Sequence, residues 1–396
     1  MSYVKQTEQA NRHLLPDLVR AFALVGIAVV NVTVIAYPLM GGYVYGGLNT
    51  WLDKVMYFVV NSLFLMKSYP LFAFMFGVGF AYQLKSAERV GAKFRGRYFR
   101  RIVGLFLLGL LNIMFFFQGD ILVLYSILGS FLFLFKDAVA KTLVRWGIGL
   151  FILQVVVFSG MTLVVYLGHK YSPADMTLEL VKINESVARS EQVFGRGTFI
   201  EALLLRIQEW SEIIVLGLFM EGLGAMAFFL FGLAAVRSNL VANPDAAVWK
   251  TCRTVFLPIG LIGSTFAAYL VATGDGVISF SSMLAMTCIA LFAFFSALGY
   301  LGLIAGWAAK PMTRFKSFLA RGGATTLTAY LLQGLFLSLI FNNYGFGLFG
   351  QLGAAACIAI ALLVSVLTIL FSSFWYRSFR HGPVEYGLRK FTYLSS

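Results

Sequence analysis

The sequence KSAERVGAKFRGRYFRR (residues 85–101) is a basic stretch between two long runs of apolar residues. It contains seven Lys or Arg residues and a single Glu. Short loops rich in Lys and Arg lie on the cytoplasmic side of membrane proteins. The stretch therefore predicts a chain that crosses a membrane several times, with residues 85–101 forming a cytoplasmic loop.

The composition also indicates a membrane protein. Of the 396 residues, 60% are hydrophobic and only 12% are charged, about half of the charged fraction of a soluble domain. Apolar windows of about twenty residues, each long enough for a helix to cross a bilayer, recur along the chain. No alternating ten-residue barrel pattern occurs, so the backbone must pair within helices. We predict an all-α, polytopic membrane helical bundle, with residues 1–396 forming a single membrane domain.

Ten apolar segments are predicted to cross the membrane. Loops 136–145, 237–253 and 310–321 and the C-terminal tail are all basic, which places them on the same side as residues 85–101. We call this side the inner end of the bundle, and both termini are predicted to lie there, in the cytoplasm. The predicted spans are residues 18–37, 69–84, 102–117, 121–135, 146–168, 213–236, 254–273, 279–305, 324–341 and 351–375.

Two segments do not follow this simple pattern. Residues 51–67 are a short apolar run bracketed by lysines, predicted to form an interfacial or re-entrant helix, which keeps the basic N-terminal residues Lys5 and Arg12 inside. The alternative is that this run crosses and gives eleven spans. Residues 169–212 hold seven acids and five bases, and they are predicted to form an amphipathic helical insert at the opposite, outer end, with a solvated charged face.

Several classes of site are not indicated. The net charge is +14, and the basic residues lie in short loops between apolar spans. They therefore indicate which loops are cytoplasmic, and no nucleic-acid partner is predicted. The isolated Cys252, Cys288 and Cys357 predict neither a disulfide nor a metal site. The three histidines lack metal-ligand spacing, and no HExxH, GxSxG or phosphate-binding glycine loop occurs. No metal and no tightly bound cofactor are expected.

Polar side chains at membrane depth are costly, so each is either a paired structural feature or a functional residue. Asp120 follows Gly119 and opens an apolar helix, a pattern typical of an N-cap. It acts either as a cap alone or as cap and site residue, paired with Lys67 or orienting a reacting hydroxyl. Interhelical hydrogen bonding and snorkelling are the alternative roles of the other candidates. These candidates, all in the predicted outer half, are Asn31, Lys67, Asn112, Gln118 and Tyr125.

Arginines are predicted to line the inner end of the bundle. Arg20 follows Asp17 by three residues, so the two share a helix face and can pair. The group can hold a phosphorylated cofactor or contact lipid headgroups. Its members are Arg20, Arg97, Arg101 and Arg321.

Several blocks of sequence together resemble the YeiB family of bacterial inner-membrane proteins. The GDIL block (residues 119–122) and the GPVE block (residues 382–385) are the most specific marks. Residues 1–168 are also similar to the transmembrane acyltransferases, including type-3 acyltransferases and heparan-alpha-glucosaminide N-acetyltransferase, and residues 213–396 match the domain of unknown function of the family. The blocks are LLPDLVRAFALVGIAVVNV (14–32), KSYPLFAFMFGVGFAYQL (67–84), LLGLLNIMFFFQGDILVLYSILGS (107–130), GGATTLTAYLLQG (322–334) and HGPVEYGLRK (381–390).

This resemblance implies an acyltransferase in the bacterial inner membrane. An acyl-CoA-type donor would bind at the inner arginines, and the acceptor would be a small molecule, a glycan or a lipid, with membrane lipids as further partners. In type-3 enzymes an arginine and a catalytic histidine are separated by ten residues, and here Arg20 and Asn31 have that spacing. Many YeiB relatives also carry a histidine where this chain has Asn112.

Asparagine cannot act as the base for acyl transfer. Asp120 or Lys67 is therefore expected to be the base, with Asn31 and Asn112 orienting the substrate or donating to the developing oxyanion. The residues expected to contact the substrate are Gln118, Tyr125 and Gln333.

Other functions remain open at this level. A transporter or a lipid- or quinone-binding membrane protein without catalysis is the main alternative, favoured by the missing histidine and disfavoured by the lack of inverted repeats. A third hypothesis is that the chain is a structural partner of another membrane protein. The sequence leaves open whether the chain is a monomer or a homodimer.

Overall fold

The computed structural model describes residues 14–91, 93–274 and 276–393. Within these ranges the chain is helical and contains no strand, which confirms the predicted all-α fold. The α-helices are α1 (Leu14–Ile35), α2 (Trp51–Leu63), α3 (Ser68–Arg89), α4 (Phe94–Phe115), α5 (Ile121–Leu132), α6 (Ala140–Tyr171), α7 (Pro173–Arg196), α8 (Phe199–Gly217), α9 (Leu223–Arg237), α10 (Ala247–Thr251), α11 (Leu257–Ala272), α12 (Phe280–Ala308), α13 (Arg314–Gly323), α14 (Thr326–Phe341), α15 (Ala354–Ser378) and α16 (Pro383–Thr392).

The chain is a multi-pass membrane protein. In the described part of the chain, eight helices or helix runs are long and apolar enough to cross a bilayer, and a ninth is counted if α13 and α14, bent by 77°, form one span. All ten segments predicted to cross are helical, but Ile121–Phe135 is shorter than the others. The N-terminal residues Lys5 and Arg12, on which the predicted location of the N-terminus depended, lie outside the described residues.

The segment predicted to be interfacial or re-entrant forms α2 and the turn into α3. Thr50 and Asp53 form a capping box that starts α2. The turn at residues 64–67 includes Met66 in the left-handed region, with φ of 57°. Together, α2 and α3 form the 39-residue run Trp51–Arg89, which is longer than the roughly twenty residues that one crossing needs.

The polar insert is helical, as predicted, but its charges do not all face solvent. Arg206 and Glu209 on α8 are only 1% and 5% exposed. Arg206 donates to the Met114 carbonyl oxygen, at the outer end of α4, and to the Asn342 side chain after α14. A buried charge is retained only where hydrogen bonds satisfy it. The insert is therefore held against the bundle, because the partners of Arg206 lie far away in sequence.

Two helices of the core, α3 and α9, approach closely at a pair of glycines. A Cβ at Gly77 would lie 1.9 Å from the Phe229 carbonyl oxygen, and a Cβ at Gly232 would lie 2.0 Å from that of Phe74. Small residues allow this kind of backbone contact between membrane helices. The two glycines therefore set the distance between α3 and α9.

The C-terminal helix α16 caps α14 across the fold. Glu385 accepts hydrogen bonds from the backbone N–H groups of Leu327 (2.8 Å) and Thr328 (3.1 Å) and from the Thr328 hydroxyl. The first N–H groups of a helix have no partner within the helix, so a carboxylate there is stabilising. A Cβ at Gly382 would lie 2.1 Å from Glu385 Oε2. The GPVE block thus has a structural role, which is to hold the beginning of α14.

We expect Glu385→Ala to destabilise the protein by about 1–2 kcal/mol, the usual effect of losing a helix cap. Thermal unfolding of the purified protein, followed by intrinsic fluorescence, measures the change. The matched variant Glu385→Gln keeps a side-chain carbonyl oxygen as an acceptor. Its melting temperature should lie between those of the wild type and Glu385→Ala. A melting temperature of Glu385→Ala equal to that of the wild type would contradict the capping role.

Candidate functional site

The site is organised around the carboxylate of Asp120. As the N-cap of α5, it accepts at Oδ1 from the backbone N–H groups of Leu122 (2.7 Å) and Val123 (3.0 Å), which confirms the predicted cap. At Oδ2 it accepts from Asn112 Nδ2 (2.7 Å) and from the Tyr330 hydroxyl (3.1 Å). Asp120 is therefore both a cap and the link between α4, α5 and α14.

Asp120 fixes the orientation of the Asn112 amide. Because a carboxylate only accepts, the NH₂ group of Asn112 must face Asp120, and Asn112 Oδ1 must face the other way. Asn112 is 2% exposed, and its Oδ1 has no hydrogen-bond partner among the described residues. The atom of Asn112 without a partner is therefore an acceptor, which favours the alternative in which Asn112 orients the substrate.

Gln333 on α14 is oriented in the same way. Its Nε2 lies 3.4 Å from the hydroxyl oxygens of Ser365 and Thr368. Both hydroxyls already donate to backbone carbonyl groups of α15, so they can only accept from Gln333. This leaves Gln333 Oε1 buried and without a partner within the described structure.

These two oxygens belong to residues that line one cavity. The cavity has a volume of about 10 Å³, which is room for about one water molecule. It lies between α1, α4 and α14, and the half-buried Asn31 lines it from α1. The lining residues are Ala28, Asn31, Ile35, Asn112, Phe117, Tyr330, Gln333, Gly334 and Leu337.

Tyr330 is the site residue that sequence reasoning missed. It lines the cavity and donates to Asp120, so it connects the carboxylate with the cavity. Asp120 itself is not among the lining residues. Tyr330 precedes Gln333 by three residues, which places both on one face of α14. That spacing, within the GGATTLTAYLLQG block, was the signal available in the sequence.

Three predicted site residues lie elsewhere. Lys67 is fully buried, and its Nζ donates to the carbonyl oxygens of Asn61 and Leu65, both at 3.0 Å. A cation there stabilises the C-terminal end of α2. The predicted pairing of Lys67 with Asp120 is wrong, because each side chain is bonded to other groups. Snorkelling of Lys67 to headgroups is also excluded by its burial.

Gln118 and Tyr125 do not line the cavity either. The side chain of Gln118 donates to the Val34 carbonyl oxygen at 3.5 Å, and the Tyr125 hydroxyl donates to the Tyr69 carbonyl oxygen at 2.7 Å. Both residues are buried. Their hydrogen bonds join neighbouring segments of the bundle.

At the inner end, Arg20 and Arg101 are brought together. Arg101 lies within electrostatic reach of Arg20, which pairs with Asp17 at 3.2 Å. Arg101 itself makes no ion pair with any residue that the structure describes, and the nearby Glu385 caps α14. Guanidinium groups match phosphate and carboxylate oxygens in geometry, so these two neighbouring arginines form a candidate anion site.

The two remaining arginines have different surroundings. Arg97 lies over the ring of Tyr393, 5.2 Å from its centroid. Arg321 donates to the hydroxyls of Ser373 (3.3 Å) and Ser317 (2.7 Å). Arg97 is thus placed on the same helix as Arg101, whereas Arg321 is held between α13 and α15.

Two arginines near the inner end and two asparagines at the cavity lie at two levels along the helix axes, and the same number of residues separates each arginine from its asparagine. Arg20 and Asn31 are eleven residues apart on α1, and Arg101 and Asn112 are eleven residues apart on α4. Eleven residues are about three helical turns, or roughly 16 Å, so each asparagine lies on the same face as its arginine. A basic level at the inner end and the cavity are therefore separated by about 16 Å along two helices.

The chain is similar to several known proteins. Residues 235–395 match the family described as "Protein of unknown function (DUF418)". The chain is 28% identical to the uncharacterized protein YxaH of Bacillus subtilis, over 100% of this chain and 98% of that one. It is also 28% identical to the uncharacterized protein YeiB of Escherichia coli, over 96% of each. A 39.9 kDa protein of Bacillus acidopullulyticus is 25% identical, over 95% and 92% of the two chains. No solved structure matches the chain.

Proposed function

We propose that this chain, which belongs to the YeiB family, is a transmembrane acyltransferase of the bacterial inner membrane. Its donor is an acyl-CoA-type thioester that binds at the inner end, and its acceptor binds in the cavity. The observation that carries the proposal is the spacing of the two levels. An acyl-CoA carries its phosphates and its thioester at opposite ends of a flexible arm, which suits a basic level and a polar level about 16 Å apart.

Each group of residues has a role in this reaction. Arg20 and Arg101 bind the phosphates, since guanidinium groups match phosphate oxygens in geometry and charge. Asn31 is the amide left to donate to the oxyanion of the tetrahedral intermediate. Asn112 Oδ1 and Gln333 Oε1 accept hydrogen bonds from the acceptor. The cavity has room for about one water molecule, so binding of both substrates requires the surrounding helices to separate.

The variant Arg101→Gln tests the donor site. We expect it to weaken binding of radiolabelled acetyl-CoA to the protein in nanodiscs by roughly tenfold or more, because a hydrogen bond to a charged group contributes about 1.5–3 kcal/mol. Arg95→Gln is the matched control, since Arg95 is an exposed residue of the same helix. Equal binding by both variants, or no binding by the wild type, would count against the donor site.

A second candidate is a transporter or a lipid- or quinone-binding protein, and Glu221 favours it. Its carboxyl group lies in the π-helix Leu218–Gly222, inside the apolar run Phe199–Arg237. Gln154 donates to the neighbouring Met220 carbonyl oxygen. Ionisable groups within apolar spans often mark pathways for substrates or ions, and π-helical turns are frequent at functional sites. Density for a lipid or quinone beside Glu221, with no response to acetyl-CoA, would support this candidate.

A further inference from the structure

Two side-chain oxygens of residues that line the cavity define what it can bind. Asn112 Oδ1 and Gln333 Oε1 are both acceptors, both buried and both without a partner in the described residues. Their orientation is fixed, because Asp120 holds the NH₂ group of Asn112 and the α15 hydroxyls hold that of Gln333. Buried acceptors without donors are costly. The preferred occupant is therefore a group that donates at least two hydrogen bonds.

A primary amine meets this requirement better than an alcohol does. Water donates two hydrogen bonds and fits the volume of the cavity. An alcohol hydroxyl donates only one, which leaves one of the two amide oxygens without a partner. A primary amine donates two N–H bonds to the two oxygens and keeps its lone pair for attack. At neutral pH, however, a free aliphatic amine is an ammonium ion, so it must lose a proton before it can react.

Tyr330 is the route by which this proton can leave. Tyr330 lines the cavity, and its hydroxyl donates to Asp120 Oδ2 at 3.1 Å while accepting from the Ile121 backbone N–H at 3.4 Å, which leaves one lone pair of the oxygen free. A proton transferred to the Tyr330 oxygen allows the original hydroxyl proton to pass to Asp120. The carboxylate thus accepts a proton from a cavity that it does not itself line. This relay supplies the base that the missing histidine would otherwise provide.

We infer that the acceptor is a primary amine and that Tyr330, backed by Asp120, takes the proton that its ammonium group loses. This inference rests on the proposed acyltransferase function. The amine nitrogen then attacks the thioester carbonyl carbon, the C–N bond forms and the C–S bond breaks. The thiolate takes the second proton from the nitrogen and leaves as the thiol. The products are an amide, the free thiol and one proton, which Asp120 returns to water.

The test uses membrane vesicles that contain the full chain, [¹⁴C]acetyl-CoA, and either n-octylamine or 1-octanol as acceptor. Vesicles without the protein give the uncatalysed rate. We expect the wild type to acetylate octylamine at least tenfold faster than octanol. We expect Tyr330→Phe to lower kcat roughly 100-fold, the usual contribution of general acid–base catalysis, with little change in the KM for acetyl-CoA.

Tyr37→Phe is the matched control for the loss of a buried hydroxyl. Tyr37 is also buried, and its hydroxyl donates to the Leu352 carbonyl oxygen at 2.7 Å, away from the cavity. The two variants should have similar melting temperatures, but only Tyr330→Phe should lose activity.

The outcomes separate the two proposals. A wild type that prefers octanol overturns the amine acceptor. A Tyr330→Phe variant as active as Tyr37→Phe overturns the relay. In both cases the acyltransferase function stands. Acetylation of neither acceptor above the rate in empty vesicles overturns the proposed function, and this inference with it.

Discussion

Replacing Asp120 with alanine is expected to destabilise the protein by about 3–7 kcal/mol. The variant loses the N-cap of α5, which contributes about 1 kcal/mol. It also leaves the Asn112 NH₂ group and the Tyr330 hydroxyl buried without their acceptor, at about 1–3 kcal/mol each. In thermal unfolding of the purified protein, the melting temperature should fall by roughly 5–10 °C.

Two comparisons isolate the cause of this change. Asp120→Asn keeps an oxygen for the backbone N–H groups of α5 but cannot accept from both Asn112 and Tyr330, so its loss of stability should be smaller. Asp137→Ala removes an exposed carboxylate, which pairs with Lys136, and should change stability little. If Asp120→Ala unfolds at the same temperature as Asp137→Ala, the carboxylate does not hold the site together.

Replacing Gly77 with alanine is expected to destabilise the protein by about 3 kcal/mol or more. The new Cβ would overlap the Phe229 carbonyl oxygen, because a 1.9 Å separation is far below van der Waals contact. The atom that it meets belongs to the backbone of α9, so no side-chain rotation can relieve the overlap. The two helices must move apart, and overpacking of this kind is destabilising. The fraction of folded protein that survives heating in detergent, measured by size-exclusion chromatography, reports the effect.

Gly79→Ala is the control for this substitution. It lies two residues away on the same helix, and a Cβ there would meet no atom within 4 Å. Alanine has a higher helix propensity than glycine by about 1 kcal/mol, so this variant should be as stable as the wild type or more so. A Gly77→Ala variant that survives heating as well as Gly79→Ala would show that the close contact between α3 and α9 does not matter for stability.

The helical bundle and the cap at Asp120 could be predicted because both depend on local sequence. Apolar runs and basic loops are sufficient for a membrane bundle, and Gly119–Asp120 before an apolar run is sufficient for an N-cap. The partner Tyr330 could not be predicted, since it follows Asp120 by 210 residues. Only the folded chain brings α5 and α14 together.

Errors about individual charges have a similar origin. The sequence offers Lys67 either a carboxylate partner or lipid headgroups, but Lys67 satisfies its charge with backbone carbonyl oxygens exposed by a break between two helices. The charge-rich insert is predicted to have a solvated face, but its Arg206 is buried. Its burial follows from distant acceptors at Met114 and Asn342. A charge pattern gives the average environment of a segment, whereas the hydrogen-bond partners decide that of each residue.

The cap that Glu385 provides for α14 affects when the site can form during protein synthesis. Leu327, at the beginning of α14, precedes Glu385 by 58 residues. At roughly 5–20 residues per second, translation needs about 3–12 s to cover that stretch. Until then the helix that carries Tyr330 and Gln333 has no cap, so the cavity is completed only as synthesis nears its last helix. A ribosome that stalls within α15 would leave a nascent chain already inserted in the membrane but still without a finished site.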